Sequence, residues 1–231
     1  MADQDGNRSD KYFIYFSDYP VITLGQEEIE KKKVPGRGYL HETTGTYKDT
    51  EIALSLDINT VMSNQLVHDA IDEALQYIRG MTEVSFCDNP NVFYKVKDVA
   101  IGNITQYADE SSELPVKMSC HHAQFLYTGR KEMDIAEAKY NPYSMCCPIY
   151  HVTGNGACVL TVNGKTFTVL VADEIYVDTE LMIAYKSRSG SYQNTSVTGD
   201  YESLWLEHGD NTITASSGFT VKVTPNWRRS L

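Results

Sequence analysis

The chain has 231 residues, of which 42% are hydrophobic, enough to bury the core of one large β domain or two small ones. Its net charge is −11, from 20 Lys and Arg against 31 Asp and Glu. A protein that reads nucleic acid needs a basic surface to displace phosphate counterions, so this charge argues against sequence-specific nucleic-acid binding. It does not argue against a protein through which nucleic acid merely passes.

The first ten residues are small, polar and charged, which predicts a disordered N-terminal tail over residues 1–10. No basic stretch followed by an apolar run indicates a signal peptide, and no segment approaches the roughly 18 apolar residues of a membrane span. The cysteines number five, an odd count without secretory context. We therefore expect reduced thiols in a chain that folds in a cytoplasm.

The first half of the chain predicts strands and one helix. Lys11–Leu24 is predicted as a first strand, and Glu51–Asn59 alternates apolar and polar residues as a half-buried strand does. Residues 64–79 are predicted as a helix that packs on a sheet, with Ser63 or Asn64 as N-cap and Gly80 just past the end. Its predicted apolar stripe consists of Leu66, Val67, Ala70, Ile71, Ala74, Leu75 and Ile78.

Further short strands follow the helix. We predict strands at Glu83–Cys87, Val92–Ile101 and Pro115–Tyr127, and an irregular connection over residues 128–153. Residues 154–227 are predicted as a meander of short strands separated by turns. In this meander Asn163-Gly164 indicates a tight hairpin, and Gly154-Asn155-Gly156 is predicted as a turn before a strand. The fold class is therefore mainly β, a β-sandwich with one packed α-helix, in a single domain over residues 11–228.

Residues 26–48 form a long polar segment between the first two strands. Residues 27–33 are highly charged, and residues 34–38, with Pro35 and two glycines, exclude a regular helix. A structureless connection of this length in a compact domain is usually functional or disordered. It holds a basic cluster and a few apolar residues that have no evident partner in the chain, namely Lys31, Lys32, Lys33, Arg37, Tyr39, Leu40 and Tyr47.

This segment allows two interpretations. It is either a solvated loop or a protruding arm that contacts an acidic neighbour. We predict the second, with those seven residues at the interface, because the rest of the chain is strongly acidic.

The sequence contains soft metal ligands without metal-site spacing. The candidate set is Cys120, His121, His122, Cys146, Cys147 and His151. Thiolate and imidazole suit zinc, but adjacent residues of a strand point to opposite faces, and neither C-x₂-C nor H-x₃-H occurs. We predict no metal and no cofactor.

No catalytic motif is present either. The sequence lacks a nucleophile elbow and a phosphate-binding loop. Carboxylate pairs of the kind a glycosidase uses occur at Asp173-Glu174 and Asp178/Glu180, but solvated strand ends explain them more simply. We therefore expect no catalytic residue and no enzymatic activity.

In its order of motifs the chain resembles the distal tail proteins of bacteriophages with long non-contractile tails, over about residues 11–228. Each motif is weakly specific alone, and their order and spacing carry the resemblance. In chain order they are residues 35–40 (PGRGYL), 47–49 (YKD), a helix ending at Gly80, residues 84–90 (VSFCDNP), 94–96 (YKV), 124–127 (QFLY), Pro148-Ile149, residues 154–156 (GNG), 162–164 (VNG), 175–179 (IYVDT), 208–213 (HGDNTI) and 225–228 (PNWR).

The resemblance implies a structural virion component of the tail tip, assembled in the host cytoplasm. Six copies of a β-sandwich with a long arm would form a homo-hexameric ring, the hub of the baseplate, that joins the tail tube protein to the tail-tip proteins. DNA would pass through its lumen, which we expect to be acidic so that it does not retain phosphate. Implied partners are other copies of the chain, the tail tube, the tail-associated hub protein, the tape measure protein and receptor-binding proteins, with no membrane contact. Many members carry a further C-terminal carbohydrate-binding domain, which we do not expect here because the chain ends at Leu231.

Two other functions compete with this hub. A carbohydrate-binding β-sandwich for host adhesion would need aromatic side chains on a concave face, yet the two tryptophans, Trp205 and Trp227, lie near predicted strand ends. A hydrolase would need a catalytic motif, and none is found.

Overall fold

The computed structural model describes residues 1–60, 66–108, 111–186 and 190–230. The chain forms two compact units, the first of residues 1–124 with Ser230 and the second of residues 125–229. Both are built mainly from β-strands, so the predicted mainly-β class is confirmed. The buried apolar cluster around the helix belongs to the first unit. The single domain over residues 11–228 stays a prediction.

The first unit contains one α-helix, α1 (Val67–Arg79), and a 3₁₀ turn at Ser9–Tyr12. Its strands are β1 (Ile14–Phe16), β2 (Val21–Thr23), β3 (Glu27–Val34), β4 (Gly38–Tyr47), β5 (Thr50–Asn59), β6 (Glu83–Val84), β7 (Val92–Ile101), β8 (Thr105–Ala108) and β9 (Ser111–Cys120). Strand β10 (Ala123–Leu126) crosses the boundary between the units in the chain. The predicted strand over residues 11–24 is thus a 3₁₀ turn and two short strands.

The second unit contains one short helix, α2 (Ile135–Ala138), and 3₁₀ turns at Tyr127–Arg130, Asn194–Ser196 and Tyr201–Leu204. Its strands are β11 (Met133–Asp134), β12 (Tyr140–Asn141), β13 (Ile149–Val162), β14 (Lys165–Asp178), β15 (Ile183–Tyr185), β16 (Val197–Thr198), β17 (Gly209–Asp210), β18 (Ile213–Ala215), β19 (Thr220–Thr224) and β20 (Arg228–Ser230). The prediction that residues 128–153 are irregular is wrong, since they hold α2 and three strands or parts of strands.

The sheet of the first unit is antiparallel, in the order β1-β5-β9-β7. Strand β5 confirms the predicted alternation: Ile52, Leu54, Leu56 and Ile58 are buried, and the residues between them are exposed or half-buried. Residues directly opposite on β9 are buried with them, for example Met118 opposite Ile52. Because paired residues share a face, these two strands present one continuous apolar surface.

Helix α1 lies on that surface and contacts β5 and β9. Its buried residues are Val67, Ala70, Ile71, Ala74, Tyr77 and Ile78. Three predicted details differ: Leu66 is exposed just before the helix, Leu75 is half-buried, and Tyr77 takes part in the buried stripe. The helix ends before Gly80 as predicted, although Gly80 has φ −81° and is not left-handed. The predicted caps Ser63 and Asn64 lie outside the described residues.

The predicted disordered tail is folded onto the first unit. The backbones of Ala2 and Ser85 exchange two hydrogen bonds of 2.9 and 3.0 Å, and Met1 is buried. The Tyr77 hydroxyl donates to the Asn7 carbonyl at 2.8 Å, and its ring stacks on Tyr12 at 4.3 Å between centroids. Polar composition misled the prediction because these contacts use backbone groups and residues 65 to 83 positions away in the chain.

The sheet of the second unit has the order β11-β19-β13-β14-β15, with β18 on β13 and β16 on β14. Strands β13 and β14 pair along their whole length, from Ile149 opposite Asp178 to Val162 opposite Lys165. Asn163 and Gly164 connect them with φ of 50° and 80°, which confirms the predicted tight hairpin.

Residues 154–156 lie inside β13, so the turn predicted there is wrong. The Phe219 ring explains the first glycine, because a Cβ at Gly154 would lie 2.5 Å from Phe219 Cδ1. A glycine inside a strand often marks such a close approach rather than a turn. No helix among the described residues is long and apolar enough to cross a bilayer.

Ile78 offers a test of the helix packing, because its side chain is fully buried in the core between α1 and the sheet. Ile78→Asp would place a carboxylate there without a partner, and we expect a loss of about 4 kcal/mol or more in unfolding free energy. Leu75→Asp is the matched control on the same helix and should cost much less, since Leu75 is only half-buried. Thermal unfolding followed by circular dichroism compares the two, and equal stabilities would contradict this placement.

Candidate functional site

The predicted arm is a regular β-hairpin. Strands β3 and β4 form a two-stranded sheet of their own, and every residue of β4 is exposed. The connecting turn is closed by the Arg37 N–H, which donates to the Val34 carbonyl at 3.0 Å. Gly36 and Gly38 have φ of 76° and 92°, a conformation that only glycine adopts without strain. The arm expected over residues 26–48 is thus confirmed as an exposed hairpin.

The pairing register sorts the arm residues onto two faces. Lys31 lies opposite His41, Lys33 opposite Tyr39, and Ile29 opposite Thr43. Directly opposed residues share a face, and neighbours along a strand point to opposite faces. We call the first set the basic face, made of Ile29, Lys31, Lys33, Tyr39, His41 and Thr43. The other set is the paired face, made of Glu30, Lys32, Leu40 and Glu42.

The two faces differ in charge compensation. On the paired face the Lys32 ammonium binds the Glu42 carboxylate and lies 3.9 Å from Glu30. The basic face carries no Asp or Glu, and within the described part of the chain Lys31 and Lys33 form no ion pair. Ile29 and Tyr39 on the same face are 54% and 65% exposed. This face is therefore both positively charged and apolar, with nothing of its own unit covering it.

The arm is held at its root by several contacts. The Tyr47 ring stacks on His122 at 4.6 Å between centroids. The Gly25 N–H donates to Thr50 Oγ1 at 3.1 Å, and the Lys48 N–H donates to the Gln26 carbonyl at 3.0 Å. These contacts fix the direction in which the hairpin leaves the sheet, because both of its ends join the frame at the start of β5.

The predicted interface residues therefore separate into groups. Lys31, Lys33 and Tyr39 lie together on the basic face, and Arg37 lies in the turn. Lys32 and Leu40 lie on the paired face, where Lys32 binds Glu42, and Tyr47 stacks on His122 at the root. Sequence reasoning missed Ile29 and His41. The alternation from residue 29 to 33 and from 39 to 43 is the signal that would have found them. Their role at an interface stays a prediction.

The residues considered as zinc ligands occupy structural positions. Cys120 is buried in β9 and Cys146 is buried in the second unit, and burial raises the pKa of each thiol to about 12. Among the described residues no group of three or more His, Cys, Asp or Glu is arranged to hold a metal ion. All five cysteines are free thiols, and Cys87 is the exposed one.

The carboxylates considered for glycoside hydrolysis bind groups of the second unit. His151 Nδ1 lies 2.8 Å from Glu132 Oε1, His151 Nε2 lies 3.4 Å from Glu174 Oε2, and the imidazole stacks on Tyr176. Asp178 is buried and accepts hydrogen bonds from the N–H groups of the turn after β14. Glu174 and Asp178 thus each have a partner within the second unit.

The two tryptophans do not form an exposed aromatic platform. Trp227 is buried, and the Trp205 indole N–H donates to the Thr179 carbonyl at 3.3 Å. Sugar rings stack on exposed aromatic faces, so these residues give no support to the carbohydrate-binding alternative.

No family model and no curated protein sequence matches the chain. Its fold does match solved structures. The crystal structure of the phage SPP1 Dit (gp 19.1) protein, described as a paradigm of the hub adsorption apparatus in phages that infect Gram-positive hosts, matches with a TM-score of 0.59 and 12% identity over 97% of this chain and 96% of that chain. Chains of the phage P2 baseplate in its activated conformation, with Ca and with Sr, match with TM-scores of 0.50 and with 9% and 11% identity, over 95% of this chain and 91% of theirs.

These matches show that the chain has the fold of a phage baseplate hub protein. The resemblance to distal tail proteins is thereby confirmed at the level of the fold.

Thiol reactivity provides one test of this description. A thiol with a pKa near 12 is ionised in only about one molecule in ten thousand at pH 8, and the thiolate is the reactive form. We expect one cysteine to react rapidly with Ellman's reagent in the native protein and the remaining four only after unfolding. Cys87→Ser should remove the rapid phase, and a rapid phase of two or more thiols would contradict the buried positions.

The raised pKa of the Cys120 and Cys146 thiols also predicts that stability falls as the pH rises above the ordinary thiol value of 9.0, because the unfolded chain then loses protons that the folded chain retains.

Gly25 tests the root of the arm. A Cβ at this position would lie 2.0 Å from the Lys48 carbonyl oxygen and 3.1 Å from His122 Cβ, so Gly25→Ala must displace the start of the hairpin. We expect a loss of about 1–3 kcal/mol and faster amide hydrogen exchange at Lys48. Thr43→Ala, at an exposed position of β4, is the control and should change stability by no more than about 0.5 kcal/mol. Unchanged exchange at Lys48 in Gly25→Ala would show that the root is not held in this way.

Proposed function

We propose that this protein is a structural subunit of a phage tail tip, a hub whose six copies close into a ring between the tail tube and the tail-tip proteins, with DNA passing through the lumen. The hub fold, matched over nearly the whole chain, supports the tail-tip role. The observation that carries the ring is the arm: an exposed hairpin with an uncompensated basic face that also bears apolar residues, on a chain of net charge −11.

A ring needs a heterologous interface, in which one surface of a subunit meets a different surface of its neighbour. A basic arm on an acidic body meets this requirement, because arms repel other arms and attract bodies. The attraction acts over the Debye length, about 8 Å at physiological salt, so assembly should be faster at low ionic strength. The exposed apolar residues of the arm would then supply contact area that salt does not screen.

In this proposal the protein is a virion component without enzymatic activity. Its partners are other copies of itself, the tail tube protein, the tail-associated hub protein, the tape measure protein and receptor-binding proteins. The proposed function does not require sequence-specific nucleic-acid binding, and the acidic composition suits a channel wall that does not retain DNA.

Replacing residues 30–46 with a short Gly-Ser turn tests the arm as the ring-closing element. The shortened protein should remain folded, because the replaced residues are exposed or half-buried and belong to a sheet of their own. Native mass spectrometry should find rings in the wild type and monomers in the shortened protein, with equal thermal unfolding of the two. If the shortened protein assembles into the same ring as the wild type, closure depends on other surfaces and the arm is not required.

A further inference from the structure

The first unit carries a second surface that complements the basic face of the arm. A pocket of about 320 Å³ opens between residues 16–20 and residues 86–88. Its lining consists of Phe16, Ser17, Asp18, Tyr19, Pro20, Phe86, Cys87 and Asp88. We call it the acidic pocket because Asp18 and Asp88 are its charged residues. Its volume is at the lower end of the range of small-molecule sites, about 300–1,000 Å³, and suits one large side chain.

The pocket combines an aromatic wall with carboxylates. Phe16 and Phe86 lie 6.2 Å apart between ring centroids, and Tyr19 beside them is 85% exposed. Asp18 and Asp88 are both exposed. Asp18 Oδ1 accepts only the neighbouring Tyr19 N–H, at 2.8 Å, among the hydrogen bonds of the described residues, which leaves its negative charge uncompensated.

The surface beside the pocket is also unoccupied. Strand β2 follows Pro20, all three of its residues are exposed, and Val21 is 64% exposed. Its described pairing is with β5 alone, so its other edge carries no strand. An exposed apolar edge strand is a surface that proteins normally cover.

The arm of the same copy does not fill this pocket. No arm residue lines it, and Ile29 and Tyr39 remain largely exposed on the basic face. The basic face and the acidic pocket are complementary in charge and in apolar character. The basic face has two uncompensated lysines and an aromatic ring, and the pocket has two aspartates around an aromatic wall. The occupant that the charges favour is therefore the arm of a second copy.

We infer that the acidic pocket receives the basic face of the arm of a neighbouring copy, with Tyr39 packing against Phe16 and Phe86 and with Lys31 and Lys33 facing Asp18 and Asp88. This assignment rests on the proposed ring and identifies which face of the arm and which surface of the body form its contact. The paired face, with Leu40 and Lys32, points away from the pocket in this arrangement. Aromatic side chains that fill a well-packed pocket are often the energetic centre of an interface.

Cys87 makes the inference testable by cross-linking, because it lines the pocket and is the exposed cysteine. One copy of the full chain carries Tyr39→Cys together with Cys87→Ser, and the second copy keeps Cys87 and the native arm and bears a size tag. A short bismaleimide can then join the two thiols only between copies. The matched control replaces Tyr39→Cys with Leu40→Cys, one residue along the strand and on the paired face.

We expect the Tyr39→Cys protein to cross-link to the tagged copy about fivefold more than the Leu40→Cys protein, and Cys87→Ser in the tagged copy to abolish the product. Equal cross-linking from the two arm positions, or a product that persists without Cys87, would overturn the assignment. The native mass of the wild type separates the two proposals. If the wild type forms rings but the cross-linking is not selective, the pocket assignment is rejected and the ring is retained. A wild type that forms dimers or open chains but no ring rejects the ring, and the selective cross-link then decides the pocket by itself.

Charge reversal gives an independent readout. Lys31→Glu with Lys33→Glu should weaken assembly about tenfold, and Asp18→Lys with Asp88→Lys in the same chain should restore it. Lys32→Gln, on the paired face, is the control and should leave assembly unchanged. Loss of assembly that the second pair of substitutions fails to restore would place the partner of the lysines elsewhere.

Discussion

The first unit depends on one antiparallel pairing, that of β5 with β9. Ten consecutive pairs align the two strands, and on one face the opposed residues are buried together, such as Leu54 with Val116 and Leu56 with Leu114. Since side chains alternate with a period of two, a shift of one residue would turn every one of these apolar groups to the other face. The register is therefore fixed by burial, and helix α1 covers the apolar surface that this register creates. The N-terminal segment then packs on the helix through Tyr77, so its order depends on the same pairing.

Contacts at the start of β5 and just after the end of β9 hold the arm in position. Its second strand ends at Tyr47, and β5 begins at Thr50, whose side chain accepts from the Gly25 N–H and donates to the His122 carbonyl at 3.2 Å. A hairpin of this kind has no core of its own, and an isolated two-stranded sheet is only marginally stable in water. Root contacts to the register-locked strand, together with the Lys32 ion pairs, compensate for that weakness. The arm can thus remain exposed along its length and still leave the sheet in a defined direction.

The sequence predicted those features that repeat locally. The alternation of β5, the apolar stripe of α1 and the Asn163-Gly164 turn each depend on residues close together in the chain, and the structure has all three. Features that depend on distant partners were missed: Met1 is buried beside a segment that pairs with Ser85, and Gly154 meets Phe219. The strands within residues 128–148 have only two residues each, too few to show a period.

The charge pattern of the sequence located the candidate site but did not show which of its residues are available to a partner. Residues 26–48 were identified because their basic cluster contrasts with an acidic chain, and composition carries that information. The cross-strand register determines which lysines are available to a partner. Lys32 lies between Lys31 and Lys33 in sequence, but it points to the other face of the hairpin, where Glu42 neutralises it. Both faces of the hairpin mix apolar residues with polar and charged ones, so neither face stands out as a continuous apolar stripe in the sequence. The acidic pocket was not predicted, because its two segments are about 70 positions apart and meet only in the folded unit.

The proposed contact has a geometric consequence for assembly. The arm and the acidic pocket belong to the same unit and are different surfaces, so each copy offers one of each, and repeated association produces either a closed ring or an open helix. The angle between the arm and the acidic pocket on each copy decides whether a closed ring or an open helix results. A flexible arm would accept many angles and give mixtures, whereas an arm fixed by Gly25, Tyr47 and Thr50 sets one angle. If the proposed ring forms, the constraint on Gly25, where a single methyl group would meet the Lys48 carbonyl, therefore acts on the number of copies that close it as well as on the stability of one copy.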